Sequence, residues 1–195
     1  MIFNCLIAGI GGQGTVLASK LIASAAMKCG YDVRTTETIG MAQRGGSVVS
    51  HIRIGENIFS PFIALGSADA LIAFEPAEAV RYLPYLSERG TLILCDSAVK
   101  PVTDAQASEP YEAESILNYL RENIPGSVII PGGILKEQCA KTLNTAMLGA
   151  AAQSGVFPFD ANSLKEIIAE MPRYREQNIF SYELGRKLYN EYSRN

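Results

Sequence analysis

The chain has 195 residues, 48% of them hydrophobic and 19% charged, a composition that supports a buried core beneath a soluble surface. Its 17 Lys and Arg against 20 Asp and Glu give a formal net charge of -3, with no long run of either sign. That balance excludes the broad basic face on which a sequence-blind nucleic-acid binder or an anionic-membrane binder depends, so neither kind of partner is expected.

The stretch from Met1 to Gly14 carries no basic segment ahead of its apolar run, so no signal peptide is expected. No apolar run reaches the roughly 18 residues needed to span a bilayer. Cys5, Cys29, Cys95 and Cys139 stand far apart with no C-x-x-C pair. Such spacing fits neither a zinc site nor an iron–sulfur ligand set, and buried free thiols in a reducing cytoplasm are the expectation. His51 is the sole histidine, which removes imidazole-based metal chemistry.

In chain order, Phe3 to Ala8 is a near-continuous apolar run stopped by glycine, the pattern of a buried strand. Thr15 to Cys29 places Leu17, Leu21, Ile22, Ala25 and Ala26 at helical spacing, and Gly30 supplies the stop. Tyr31 to Thr36 reads as a second strand, Ile39 to Gly46 as a loop with three glycines, and Ser47 to Ile54 as a third strand. Only about ten non-helical residues join those last two strands, whereas a parallel return needs a dozen or more, so they are expected to run antiparallel. Ala70 to Phe74 and Thr91 to Cys95 read as further buried strands. A helix over Glu78 to Glu88 lies between them, with Pro84 set to kink or shorten it.

Pro101 to Pro110 is polar and helix-poor, the composition of a surface loop. A helix over Ala113 to Glu122 then leads to a strand over Ser127 to Ile130, closed by Pro131-Gly132-Gly133. The last third reads as helical: one stripe joins Leu135, Cys139, Leu143, Met147 and Ala150 in a helix over Leu135 to Gln153. Ser163 to Glu166 has the form of a capping box opening another helix, and Asn178 to Tyr192 closes the chain. Tyr174, Tyr182, Tyr189 and Tyr192 read as helix-packing residues. Strands alternating with helices predict an α/β fold, a three-layer α/β/α sandwich on a mixed, mainly parallel sheet, as a single domain over residues 1–195.

The strongest local signal is Gly9-Ile10-Gly11-Gly12-Gln13-Gly14, a G-x-G-x-x-G that follows an expected strand and opens an expected helix. Glycines there permit a tight turn, close approach of backbone N–H groups to an anion, and tight packing of helix on strand. The same pattern also serves as a plain structural turn or as a partner-chain contact. Glu37 lies 23 residues beyond Gly14, where a ribose-binding acid would stand. It is followed by Gln43-Arg44-Gly45-Gly46, in which a guanidinium beside two glycines could clamp a carboxylate or phosphate, or pin its own loop.

In an open α/β sheet ligands lie outside the carboxyl ends of the strands, which gathers Gly11 to Gly14, Glu37, Glu75-Pro76, Asp96-Ser97 and Gly132-Gly133 on one edge. Glu75 and Asp96 read there as helix caps or solvated ends rather than general bases, and His51, mid-strand beside valines, as a structural or interface residue. No G-x-S-x-G elbow, no P-loop and no G-D-G of the kind that holds thiamine diphosphate is present. The residues describe a cradle without a catalytic group.

The pairing of Gly9 to Gly14 with Thr38 to Gly46 resembles the gamma subunit or domain of the 2-oxoacid:ferredoxin oxidoreductases. Ser47 to Arg53 is most similar to the small (beta) subunits of the indolepyruvate branch, and Asn144 to Gly149 and Asn178 to Gly185 are further landmarks. The resemblance implies a non-cofactor-bearing subunit, inactive alone, of an enzyme that makes acyl-CoA, carbon dioxide and reduced ferredoxin from a 2-oxo acid, here an aryl pyruvate, with coenzyme A as co-substrate. It implies that thiamine diphosphate, magnesium and iron–sulfur clusters sit on a large partner subunit, that ferredoxin is met through the complex, and that the assembly is a cytoplasmic hetero-oligomer, with a homodimer as the isolated alternative. Gly9, Gly11, Gly12, Gln13, Gly14, Glu37, Gln43, Arg44, Gly45 and Gly46 would then edge the path of substrate or coenzyme A. Two rival readings stay open on the residues: a free-standing NAD(P)- or FAD-binding oxidoreductase, and a non-catalytic binding module.

Overall fold

The computed structural model describes residues 2–40, 46–99 and 111–193. Its centre is a six-stranded sheet in the order β2-β3-β1-β4-β5-β6. The strands are β1 (Phe3–Ile10), β2 (Asp32–Ile39), β3 (Ser47–Gly55), β4 (Ala68–Ala73), β5 (Leu86–Cys95) and β6 (Val128–Ile130). β1, β4, β5 and β6 pair in parallel, with Cys5 opposite Ala70 and Ile93 opposite Val128. β3 runs antiparallel to both neighbours, with Leu6 and Thr36 flanking His51 on either side. The short connection between β2 and β3 thus forces the expected reversal, and the sheet is mixed and mainly parallel.

Among the described residues seven α-helices cover it: α1 (Thr15–Lys28), α2 (Pro76–Tyr82), α3 (Ala113–Asn123), α4 (Gly132–Cys139), α5 (Leu143–Gln153), α6 (Ala161–Ala169) and α7 (Arg175–Tyr192). Successive strand side chains alternate between faces, so each strand feeds two cores. Cys5, Ile7, Ile52, Ile72 and Ile93 pack beneath α1 and α4 to α7. Leu6, Ala8, Val49, Leu71 and Leu92 pack beneath α2 and α3. This is the three-layer arrangement expected from the alternation of elements. Burial pushes the Cys5 thiol up, and that of Cys95 up to about 12, so both are protonated core side chains, whereas Cys29, expected to be buried, is exposed at the end of α1.

Four local expectations are corrected. The helix placed over Glu78 to Glu88 starts earlier and stops sooner: Glu75 caps it, Pro76 occupies its first turn, and Leu83–Tyr85 is a 3-10 turn around Pro84. Leu86 to Glu88 already belong to β5. β6 does stop before Pro131, but the next helix, expected from Leu135, already begins at Gly132, anchored by the Gly132 N–H donating to Asp96 Oδ1 at 2.6 Å. The helix over Leu135 to Gln153 is broken by a 3-10 turn at Ala140–Thr142, where Thr142 pairs with the Ser181 hydroxyl of α7 at 2.6 Å. The box at Ser163 to Glu166 is not the start of α6: Asp160 caps it, accepting from the Asn162 N–H at 2.7 Å, and Ser163 lies within the helix. The loop expected over Pro101 to Pro110 lies outside the described residues.

The closest helix crossing joins α5 and α7. A Cβ on Gly149 would stand 2.0 Å from the Tyr182 carbonyl oxygen, and one on Gly185 would stand 1.8 Å from that of Ala146. Thr145 donates to Asn178 Oδ1 at 2.9 Å alongside. Backbone meets backbone here, so nothing can yield except the helices themselves. Gly149→Ala is expected to destabilise the fold by about 2–3 kcal/mol in urea denaturation. Gly133→Ala, with nothing within 4 Å of the added carbon, should stay within about 0.5 kcal/mol of the wild type.

Candidate functional site

β1 delivers the glycine loop to the carboxyl edge of the sheet, and α1 leads away from it. Gly9 permits a close approach: a Cβ there would lie 2.7 Å from Gln13 Oε1 and 2.9 Å from Thr15 Cγ2. Gln13 folds back across the loop. Its Oε1 accepts from the Ile10 N–H at 2.8 Å and its amide nitrogen donates to the Phe74 carbonyl at 3.1 Å. That amide therefore straps the end of β1 to the end of β4, across the crevice where a doubly wound sheet would admit a ligand. The Gly11 N–H donates to the Gly46 carbonyl at 2.9 Å, joining the first glycine loop to the second.

Gly14 ends the loop in the left-handed region, φ 82°, with no side-chain cap on α1 and no acid in its first turn. A Cβ there would meet the Asn144 amide at 2.7 Å. Asn144 in turn donates to the Gly14 carbonyl at 3.4 Å, tying the loop to the start of α5.

On the α1 face of this loop lies a cavity of about 730 Å³. The starts of three helices border it: Gly12 to Gly14 and Leu17 at α1, Thr142 to Asn144 at α5, and Tyr174 and Asn178 at α7. Helix N-termini carry unpaired donors and a partial positive charge. Lys136, Lys141 and Arg173 also line the cavity, and among the described residues no Asp or Glu does. None of these three makes an ion pair among the described residues. Lys141 lies over the Tyr174 ring, 5.7 Å from its centroid. Tyr174 itself is held at φ 56°, unusual for a residue with a side chain. Buried Asn178 enforces that kink: its N–H reaches the Tyr174 carbonyl at 2.8 Å and its amide nitrogen the Arg173 carbonyl at 3.1 Å. The chemistry on offer is anion binding, with Ser97 and Asn144 adding hydrogen-bonding groups.

The residues expected at the site divide. Gly12, Gln13 and Gly14 line the cavity, with Ser97 from the end of β5. Gly9, Gly11 and Gly46 shape the loop behind it. Gln43, Arg44 and Gly45 lie outside the described residues. Glu37 is two strands from β1 because β3 intervenes, a displacement of about 10 Å, and it accepts from the Ser19 hydroxyl at 3.4 Å. Glu75 and Asp96 are buried and half-buried helix anchors. His51 is away from the cavity, its Nδ1 accepting the Ile63 N–H at 3.3 Å between the edges of Phe62 and Tyr85. Lys136, Lys141 and Arg173 were not singled out in the sequence, where isolated cations on helices and loops give no signal.

Among the described residues no helix is long and apolar enough to cross a membrane, and no three His, Cys, Asp or Glu side chains cluster as metal ligands would. Residues 4–188 match the family described as Pyruvate ferredoxin/flavodoxin oxidoreductase, and the chain belongs to it. Indolepyruvate oxidoreductase subunit IorB of Pyrococcus horikoshii is 32% identical over 95% of each chain. The subunit of the same name from Methanothermobacter thermautotrophicus is 42% identical over 84% of this chain and 85% of its own. Among solved structures, the gamma subunit of keto/oxoacid ferredoxin oxidoreductase from Geobacter sulfurreducens superposes with a TM-score of 0.67 at 20% identity, covering 97% of this chain and 99% of that one. The 2-oxoglutarate:ferredoxin oxidoreductase of Magnetococcus marinus gives 0.70 at 20% identity, covering 97% of this chain and 31% of that one. The fold is the gamma-subunit fold.

Two outcomes follow from the geometry. With the β1–β4 crevice strapped by Gln13 and Glu37 a strand too far away, titration with NADH is expected to leave its fluorescence unchanged at micromolar concentrations. Burial pushes the pKa of His51 down from its ordinary 6.5, so the folded chain prefers the neutral ring more strongly than the unfolded chain does. Its contribution is complete above that value and is lost as pH falls through the folded pKa. Urea midpoints should therefore drop between pH 7 and pH 5 more for the wild type than for His51→Gln.

Proposed function

We propose that this member of the pyruvate ferredoxin/flavodoxin oxidoreductase family is the small, non-cofactor-bearing subunit of a cytoplasmic 2-oxoacid:ferredoxin oxidoreductase acting on indolepyruvate or another aryl pyruvate. The complex would convert the 2-oxo acid, coenzyme A and oxidised ferredoxin to acyl-CoA, carbon dioxide and reduced ferredoxin. Relatives that carry the name indolepyruvate oxidoreductase subunit match nearly the full length of both chains, which supports the assignment to a subunit of that kind. A large partner chain would hold thiamine diphosphate, magnesium and iron–sulfur clusters. Those groups supply carbon–carbon cleavage and electron transfer, and this chain's own residues bind and orient.

The observation that carries the reading is the cationic cavity. Three basic side chains and three helix N-termini face one space, and no carboxylate stands in its wall among the described residues. Coenzyme A and aryl pyruvates are both anions, and a preorganised positive site attracts either. Gly12 to Gly14 border one side and Lys136, Lys141 and Arg173 the other, and the binding role proposed for Glu37, Gln43, Arg44, Gly45 and Gly46 rests on the family pattern alone. Residues 1–195 would act as one domain in a hetero-oligomer, and the chain alone would be inactive, with a homodimer as its isolated state.

Two measurements test this. Native purification is expected to bring down a large brown chain containing thiamine diphosphate; a solitary chain that oxidises a 2-oxo acid unaided would overturn the reading. In the reconstituted complex, Arg44→Ala and Lys141→Ala should each raise KM for coenzyme A or the 2-oxo acid about tenfold with kcat largely kept. Such a loss matches one charge-assisted contact of about 1.5 kcal/mol.

A further inference from the structure

Behind the glycine loop, on the face opposite the cavity, two glutamates are almost wholly buried: Glu75 is 2% exposed and Glu78 4%. Neither is used in the ligand reading. Glu75 caps α2, one oxygen accepting from the Glu78 N–H at 3.1 Å and the other from the Tyr111 hydroxyl. Burial and the carboxylate together push the Tyr111 pKa up, which keeps the phenol a donor. Glu78 accepts from the Ser47 hydroxyl at 2.5 Å and from Arg81 Nε at 3.2 Å, and the Tyr82 hydroxyl lies 3.1 Å from Ser47 Oγ. Each carboxylate oxygen therefore has a partner.

What these partners are connected to is informative. Ser47 follows Gly46, whose carbonyl holds the Gly11 N–H, and the Ser47 carbonyl holds the Gly40 N–H at 2.8 Å. Both ends of the second loop are thus fixed at Ser47. Phe74, next to Glu75, takes the other strap of the cradle through Gln13. The first turn of α2 is the common anchor of the glycine loop, of the strand leaving the second loop, and of Tyr111.

We propose that Glu75 and Glu78 are positioning residues for the glycine cradle: Glu78 fixes Ser47, Ser47 fixes Gly46, and Gly46 fixes Gly11. A carboxylate is suited to this because it accepts two donors at once, and burial makes each hydrogen bond expensive to leave unmade. The consequence for ligand binding rests on the reading of the cavity given above; the positioning itself does not.

Hydrogen exchange at the Gly11 amide separates the two. In the full chain, Glu78→Ala and Ser47→Ala are expected to speed that exchange about tenfold or more, while exchange in the β4 core is unchanged. Glu78→Gln, which keeps an acceptor for Ser47, should restore protection to within about threefold of the wild type. Unchanged exchange at Gly11 in both alanine variants, or a rise spread evenly over the sheet, overturns the inference. In the reconstituted complex, Glu78→Ala should raise KM for the anionic substrate severalfold with kcat kept, and Glu78→Gln should rescue it. A KM that stays put while Gly11 exchange rises would uphold the positioning and remove the ligand role of the cradle instead.

Discussion

The carboxyl edge of this sheet is governed by one topological constraint, the antiparallel strand β3 between β1 and β2. In a doubly wound sheet of dinucleotide-binding type, the glycine loop after the first strand and the acid after the second are adjacent and share a ligand. Here a full strand separates them, and β3 returns the chain to the glycine loop through Gly46. Two glycine segments meet where one glycine segment and one acid would otherwise meet. The Gln13 amide then closes the crevice between β1 and β4. The sequence pattern of a nucleotide cradle is kept, but its donors at Ile10, Gly11 and Gln13 are engaged by the protein itself.

Positive potential is displaced to the α1 face and assembled from the C-terminal third. That displacement depends on the break between α4 and α5. A continuous helix over Leu135 to Gln153 would bury peptide groups in its middle, whereas the turn at Ala140–Thr142 creates a new N-terminus at Leu143, opposite that of α1. The α5–α7 crossing fixes the third N-terminus. Gly149 and Gly185 let the two backbones touch, and Thr145 and Asn178 hold Tyr174 and Arg173 at the mouth. Packing, capping and electrostatics converge on one cavity because the same residues carry all three.

Much of the fold was legible in the sequence, and the reasons are specific. β1, β4 and β5 are apolar on both faces, which only a covered sheet explains, and the short β2–β3 connection dictated the reversed strand. The end of α2 was legible in Pro84, but its start at Pro76 was not: the pattern placed it at Glu78, and Glu75, read as a cap or a solvated end, is tied to α2 only once the preceding strand is known to stop at Ala73. The α4–α5 break has no glycine or proline to announce it. It is imposed by a tertiary bond from Thr142 to Ser181, 39 residues away. The glycine loop was legible as a cradle, and Asn144, Asn178 and the paired glycines as family landmarks. Lys136, Lys141 and Arg173 were not, since their common orientation exists only after three helices have packed.

The two glutamates of α2 complete this account of the edge. Burying two carboxylates with one half-exposed arginine nearby is costly unless every oxygen is hydrogen-bonded. A chain that needed only to cap α2 could do so with Glu75 alone, leaving position 78 to solvent. Glu78 is instead drawn inward to Ser47, and Arg81 follows it from the surface. The cradle thus has a rigid backing on the α2 face and an anion-seeking opening on the α1 face. The glycine loop is the strap between them, and its position on the cavity side is set from the α2 side.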